Sequence, residues 1–125
     1  MQVEKKAIVF EDQRGSIRDI LISKEVDAVT ILVCKKGSVR GNHFHKQSIQ
    51  YGYIVSGSFV CATQICDNPI ETKELKTGDI ITHPPGEKHA FKALEDSVFL
   101  ALTKGPRQGT SYEKDTFHLE KPILE

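Results

Sequence analysis

Between Gly37 and Gly57 the chain reads Gly-Ser-Val-Arg-Gly-Asn-His-Phe-His and then runs into an apolar stretch, and this segment constrains the fold more than any other. His43 and His45 stand two apart. Successive side chains of a strand point to opposite faces, so on a strand both imidazoles leave from the same face. Apolar runs on either side, Val29 to Cys34 and Ile49 to Val55, support the strand reading. Two imidazoles converging from one face can hold a divalent transition metal or serve as paired acid and base groups. A third imidazole comes from Gly78-Asp-Ile-Ile-Thr-His-Pro-Pro-Gly-Glu-Lys-His89. There a strand turns at Pro84-Pro85-Gly86, residues suited to turns for backbone reasons, and returns at His89.

The spacing of these residues resembles the paired motifs of the cupin superfamily. Gly37, His43, His45 and Gly57 fall on the fixed positions of the first motif, G-x5-H-x-H-x4-E-x6-G, with Gln50 at the Glu position. Gly78, Pro84, Gly86 and His89 match the second, G-x5-P-x-G-x2-H-x3-N, with Ala93 at the terminal Asn. The resemblance spans about residues 29–102. It implies an all-β fold, an antiparallel double-stranded β-helix (the cupin or jelly-roll barrel), with His43, His45, Gln50 and His89 facing its interior. The 125 residues are read as one cupin domain, flanked by N-terminal strands and a C-terminal tail, and long enough to bury a core without staples.

Charge excludes some partners. Acidic and basic residues balance at 17 each, which argues against a general nucleic-acid or anionic-membrane surface. Residues 1–10 carry Glu4, Lys5 and Lys6 and lack the apolar core of a signal peptide, and no run approaches the roughly 18 apolar residues of a membrane span. The expected compartment is the cytoplasm. Cys34, Cys61 and Cys66 lie in apolar, strand-like surroundings and read as buried free thiols.

In chain order, Ala7–Phe10 is a short apolar run, Glu11 to Gly15 a turn, and Ser16 to Ile22 the start of a second strand. The Asp12-x-Arg14-Gly15 turn is similar to the N-terminal segment of sugar-nucleotide cupins, the 3,5-epimerases and 3,4-ketoisomerases. That resemblance implies that Arg14 helps hold a pyrophosphate, a task suited to the bidentate guanidinium. A hairpin turn with a solvated arginine is the alternative. Arg40 to Lys46 matches the Arg-Gly-x-His-Ala-His-Lys of the ketoisomerases apart from Asn42 and Phe44, which implies phosphate contacts for Arg40 and Lys46. The turn before His89 follows the general cupin pattern instead, so the resemblance speaks to substrate class more than to reaction.

Ser56-Gly57 is read as a tight hairpin turn between two β-rich strands. Gln50, Gly52 and Ile54 share one face, and Tyr51, Tyr53 and Val55 the other. Glu71 to Lys76 is a polar strand or loop, Ser97 to Thr103 a last apolar strand, and Lys104 to Gly109 a break. The tail carries Tyr112, Phe117 and Leu119, enough to dock as an edge strand or clasp. No helix has a convincing period. His83 is either a group behind the central histidines, a substrate contact, or an outward-facing side chain, and His118 carries no signal.

Three imidazoles plus the Gln50 oxygen make a site for Fe, Mn, Ni, Co or Zn with positions open for water or substrate. A neutral Gln in place of Glu leaves the metal charge uncompensated, favouring a deprotonated water or an enediolate and weakening metal affinity. Without metal, His43 and His45 act as general base and acid beside a ketone, as the ketoisomerase resemblance implies. The expected function is a sugar isomerase or epimerase acting on a nucleotide-linked keto-sugar. The alternatives are a metal-dependent cupin of another class, such as a dioxygenase or small-molecule isomerase, and a non-catalytic ligand-binding cupin. The expected partner is a small-molecule sugar nucleotide, with no nucleic acid and no membrane. A homodimer is expected because edge strands need covering and both chain ends carry apolar strand-like runs.

Overall fold

The computed structural model describes residues 1–125. Two five-stranded antiparallel sheets face each other as a jelly roll. One contains β1 (Gln2–Lys5), β9 (Asp79–His83), β6 (Ile49–Ser56), β11 (Ser97–Lys104) and β4 (Ala28–Cys34), in that order across the sheet. The other contains β12 (Phe117–His118), β5 (Val39–Phe44), β10 (Lys88–Ala93), β7 (Ser58–Gln64) and β8 (Glu71–Lys76). A separate hairpin pairs β2 (Phe10–Asp12) with β3 (Gly15–Ile17), and one short helix, α1 (Thr110–Lys114), precedes β12.

The period of two decides which side chains fill the sandwich. On β6, Ile54 points inward and is buried with Phe59, Leu75, Ile81, Phe91 and Phe99. Phe59 meets Phe99 edge to face with ring centroids 5.3 Å apart, the arrangement favoured by the ring quadrupoles. Tyr51 and Tyr53 point out of the same strand but remain buried, packed with Ile80 and Leu102 beneath Ile20, Leu21 and Val26. The covering layer is therefore the irregular segment between β3 and β4. The expected strand over Ser16 to Ile22 stops at Ile17, because the chain is needed as a cover rather than as a ladder partner.

Ser56-Gly57 is not a hairpin turn. β6 pairs with β9 and β11 while β7 pairs with β8 and β10, so the chain changes sheets at this point. Gly57 adopts φ +86, and a Cβ there would collide with Ser97 Oγ, so only glycine fits the corner. The Pro84-Pro85-Gly86 turn is a second corner of this kind. β9 enters it from one sheet and β10 leaves in the other. Glu71 to Lys76 is an edge strand, polar because only Leu75 faces the core. Cys34 and Cys61 are buried thiols, whereas Cys66 is exposed at a positive-φ bend just beyond the end of β7, outside the core that sequence reading gave it.

Candidate functional site

His43 sits on β5, His45 one residue beyond its end, and His89 on β10, whose ladder with β5 pairs His89 with His43. The three rings converge, with centroids 4.9 Å (His43–His45), 4.7 Å (His43–His89) and 5.5 Å (His45–His89) apart. One ring nitrogen of each lies within 4.8 Å of those of the others. The sequence expectation of a shared face is thus met. The approach of β10 to β5 is close at Gly41, where φ is +94 and a Cβ would stand 2.7 Å from the His89 carbonyl oxygen.

Two of the rings are held from behind. His45 Nδ1–H donates to the Asp115 carbonyl at 2.9 Å, and His89 Nδ1–H to the Glu87 carbonyl at 3.1 Å. These bonds leave Nε2 as the free lone pair on both rings, and both Nε2 atoms are buried without a partner. Asp115 does more than orient His45. Its buried carboxylate accepts from the backbone N–H groups of Lys46, Gln47 and Ser48 and from Ser48 Oγ, at 2.9 to 3.2 Å. It therefore fixes the β5–β6 turn from the C-terminal tail, and those donors hold its carboxyl below the usual carboxylate range despite burial.

Burial sets the protonation of the cluster. It pushes the His43 pKa down to about 4, with the charges of His45, His118 and His83 adding to the effect. His45 is lowered by burial, against a partly compensating Asp115, and His89 is lowered well below the ordinary value by burial and by His83 and His43. All three imidazoles are neutral at pH 7, the form needed in a metal ligand or a general base. His43 and His89 open on a cavity of about 70 Å³ that Gln50, Arg40, Arg107 and Tyr112 also line. No carboxylate faces it.

A family model described as a cupin domain matches residues 30–103, more than half of the chain. The chain belongs to the cupin family. A search of curated protein sequences gave no match. Among solved structures, the cupin resembles QdtA, a sugar 3,4-ketoisomerase from Thermoanaerobacterium thermosaccharolyticum in complex with TDP, at 19% identity and a TM-score of 0.80, covering 95% of this chain and 88% of that one. A 3,4-ketoisomerase from Helicobacter canadensis aligns at 15% identity and a TM-score of 0.81, covering 94% and 90%. The rmlC epimerase of Mycobacterium tuberculosis aligns at 22% identity and a TM-score of 0.79, covering 94% of this chain and 67% of that one. At these identities the likeness establishes the shared fold.

Of the residues singled out in the sequence, the cupin barrel brings His43, His45, Gln50, His89 and Arg40 together. Gln50 Nε2 points to Thr103 Oγ1 at 3.5 Å, and Gln50 faces His83 across the β6–β9 ladder. Arg40 donates to Cys34 Sγ and the Val33 carbonyl, both at 3.3 Å, and has no carboxylate partner. His83 lies behind the site and is not outward-facing. It is 3% exposed, its Nδ1 bonds Glu87 Oε1 at 2.8 Å, and its ring stacks on His89 at 4.2 Å. Lys46 does not line the cavity, and its ammonium sits 4.3 Å above the Phe117 ring. Arg14 is also outside the cavity, paired with Asp12 at 2.7 Å with its side chain 79% exposed.

Sequence reading missed Asp115, Glu87, Arg107, Tyr112 and His118. β12 pairs with β5 so that His118 stands opposite His43, with rings 5.8 Å apart. All five histidines of the cupin thereby form one contiguous cluster. The available signal was only the apolar alternation of the tail, which indicated docking but no register.

Proposed function

We propose that this cupin isomerises or epimerises a nucleotide-linked keto-sugar. The observation that carries the reading is the set of neutral imidazoles converging on a carboxylate-free cavity beside Arg40. Neutral His43 or His45 removes the proton from the carbon next to the ketone, leaving an enediolate. Return of a proton to the neighbouring carbon moves the ketone, and return to the opposite face of the same carbon inverts the centre. Arg40 receives phosphate oxygens, with Lys46 and Arg14 proposed as further phosphate contacts and His83 as support or a substrate contact. The fold neighbours support this assignment, since QdtA has been crystallised with TDP and, as a histidine-to-asparagine mutant, with TDP-4-keto-6-deoxyglucose.

The donor set also fits a divalent transition metal, Fe, Mn, Ni, Co or Zn, because the Nε2 atoms of His45 and His89 are buried and unpartnered beside His43. His43, His45 and His89 would hold it, with the Gln50 oxygen as a fourth donor. When bound, such a metal supplies Lewis-acid stabilisation of a developing oxyanion. This observation keeps a second reading alive, a metal-dependent cupin of another reaction class. We place the protein in the cytoplasm as a homodimer, on its free thiols and its exposed apolar strand face. No helix is long and apolar enough to cross a membrane.

The test is proton exchange. Incubation with TDP-4-keto-6-deoxyglucose in D2O should place deuterium next to the ketone, as read by NMR, and His43→Ala and His45→Ala should each slow this by about 10²-fold or more. Absence of both exchange and binding would sink the reading. Elemental analysis addresses the metal: on the second reading about one first-row metal per chain is expected, His45→Ala should lose most of it, and Gln50→Glu should hold it more tightly. Unchanged melting and turnover after chelation would leave His43 and His45 as a metal-free acid–base pair.

A further inference from the structure

The cavity wall carries a second cation that the cupin motifs do not supply. Arg107 lies in the irregular stretch between β11 and α1, and three contacts define its position. Its guanidinium stacks over the Tyr112 ring at 3.9 Å, its Nε donates to Thr30 Oγ1 at 3.3 Å, and it lines the same cavity as Arg40, His43 and His89. Its terminal amino groups have no hydrogen-bond partner, and neither Arg107 nor Arg40 is ion-paired. The chain as a whole balances its charges, yet this cavity has two guanidinium groups and no acid. Arg40 is exposed, but Arg107 is half-buried without a counter-charge, which is costly to keep out of water, and an anionic ligand removes that cost.

The spacing of the two arginines indicates the kind of anion. Arg107 is anchored at Thr30 and Arg40 at Val33 and Cys34, both along β4 with Leu32 between them on the cavity side. A strand rises about 3.3 Å per residue, so Thr30 and Cys34 stand roughly 13 Å apart and the two side chains reach in from separate places. One compact carboxylate cannot occupy both forks from such anchors, whereas an extended anion with charge on more than one centre can. Aromatic stacking holds the Arg107 plane fixed, and a preorganised fork loses less freedom when it binds phosphate oxygens.

We propose that Arg107, shelved on Tyr112, is an anion-binding residue of this cavity that acts with Arg40 on the diphosphate of the ligand. The identity of that anion rests on the nucleotide-sugar reading; the existence of a two-arginine site does not. The probe is therefore inorganic pyrophosphate, with inorganic phosphate alongside, titrated calorimetrically at low ionic strength into the full chain. Wild type should bind pyrophosphate more tightly than phosphate. Arg107→Gln should weaken pyrophosphate by about tenfold or more and phosphate by less, the loss expected when one charged hydrogen bond is removed. Arg107→Lys should fall between, since ammonium keeps the charge but not the fork or the stack.

Lys73→Gln removes the same charge from β8, across the second sheet from β5, and should leave affinity unchanged. Circular dichroism would confirm that each variant keeps the fold. Equal pyrophosphate affinity in wild type and Arg107→Gln, or no pyrophosphate binding by wild type, would overturn the proposal. Pyrophosphate binding that depends on Arg107, in a protein that exchanges no proton on a keto-sugar, would uphold this site while removing the catalytic reading.

Discussion

Residues 105–118 fold back onto the barrel and complete its cavity, whereas β2 and β3 leave Phe10 and Ile17 more than half exposed and give Arg14 no partner but Asp12. Both segments flank the part of the chain that matches the cupin family. The C-terminal one is tied down by a buried carboxylate with several donors, by β12 on β5, and by Tyr112 beside His45. The N-terminal hairpin is two strands of three residues, too small to be stable by itself in water. Close to it in sequence, β4 turns Val29, Ile31 and Val33 outward, each more than 60% exposed at the edge of its sheet. One flank is thus finished within the chain, and the other presents the kind of apolar edge that proteins cover.

The largest expected effect tests the C-terminal side. Asp115→Ala strands several buried donors, so thermal unfolding should show a loss of about 3 kcal/mol or more, near 10 °C for a chain of this size. It should also loosen His45 and reduce ligand or metal binding. Unchanged melting would mean that the tail merely lies on the barrel, and the contrast between the flanks would collapse.

The apolar side is tested next. Light scattering at tens of micromolar should report a homodimer, and Ile31→Glu should weaken it by about 100-fold, since a charge would have to be buried in the interface. A wild-type monomer would show that the exposed face needs no partner copy.

Arginine substitutions then compare the flanks at the site itself. Arg40→Ala should weaken nucleotide-sugar binding by about 1.5–3 kcal/mol with the fold intact. Lys46→Ala should cost less, because an ammonium on a flexible stem is a weaker phosphate ligand than a guanidinium. Arg14→Ala should also have the smaller effect if the hairpin stays outside the cavity. Equal losses for Arg14 and Arg40 would bring the N-terminal flank into the site and redraw the comparison.

A last expected effect concerns pH. His43, at about 4 in the fold against 6.5 unfolded, binds protons more readily in the unfolded chain, and His45 and His89 shift the same way. Stability should therefore be full above about pH 6.5 and fall as the pH drops towards 4. Denaturant midpoints between pH 7.5 and 4.5 would show this, and the dependence should flatten in His43→Asn.

Sequence alone determined the strands carrying His43, Gln50 and His89 and the shared face of His43 and His45, because strand periodicity is local. The all-β barrel and the convergence of His89 on that pair were legible only through the resemblance to the cupin motifs. The sequence also marked the corners at Gly57 and Gly86, but not their nature. A turn within one sheet and a crossing between two use the same residues, and only the ladder partners of β6, β7, β9 and β10 tell them apart. The tertiary structure alone decided that His83 is buried against Glu87, that His118 meets His43, and that Asp115 reaches back about 70 residues to hold the turn after His45. It likewise placed Arg107 in the cavity and left Arg14 out. These are long-range contacts between segments with no period of their own, and closing the barrel is what brings them together.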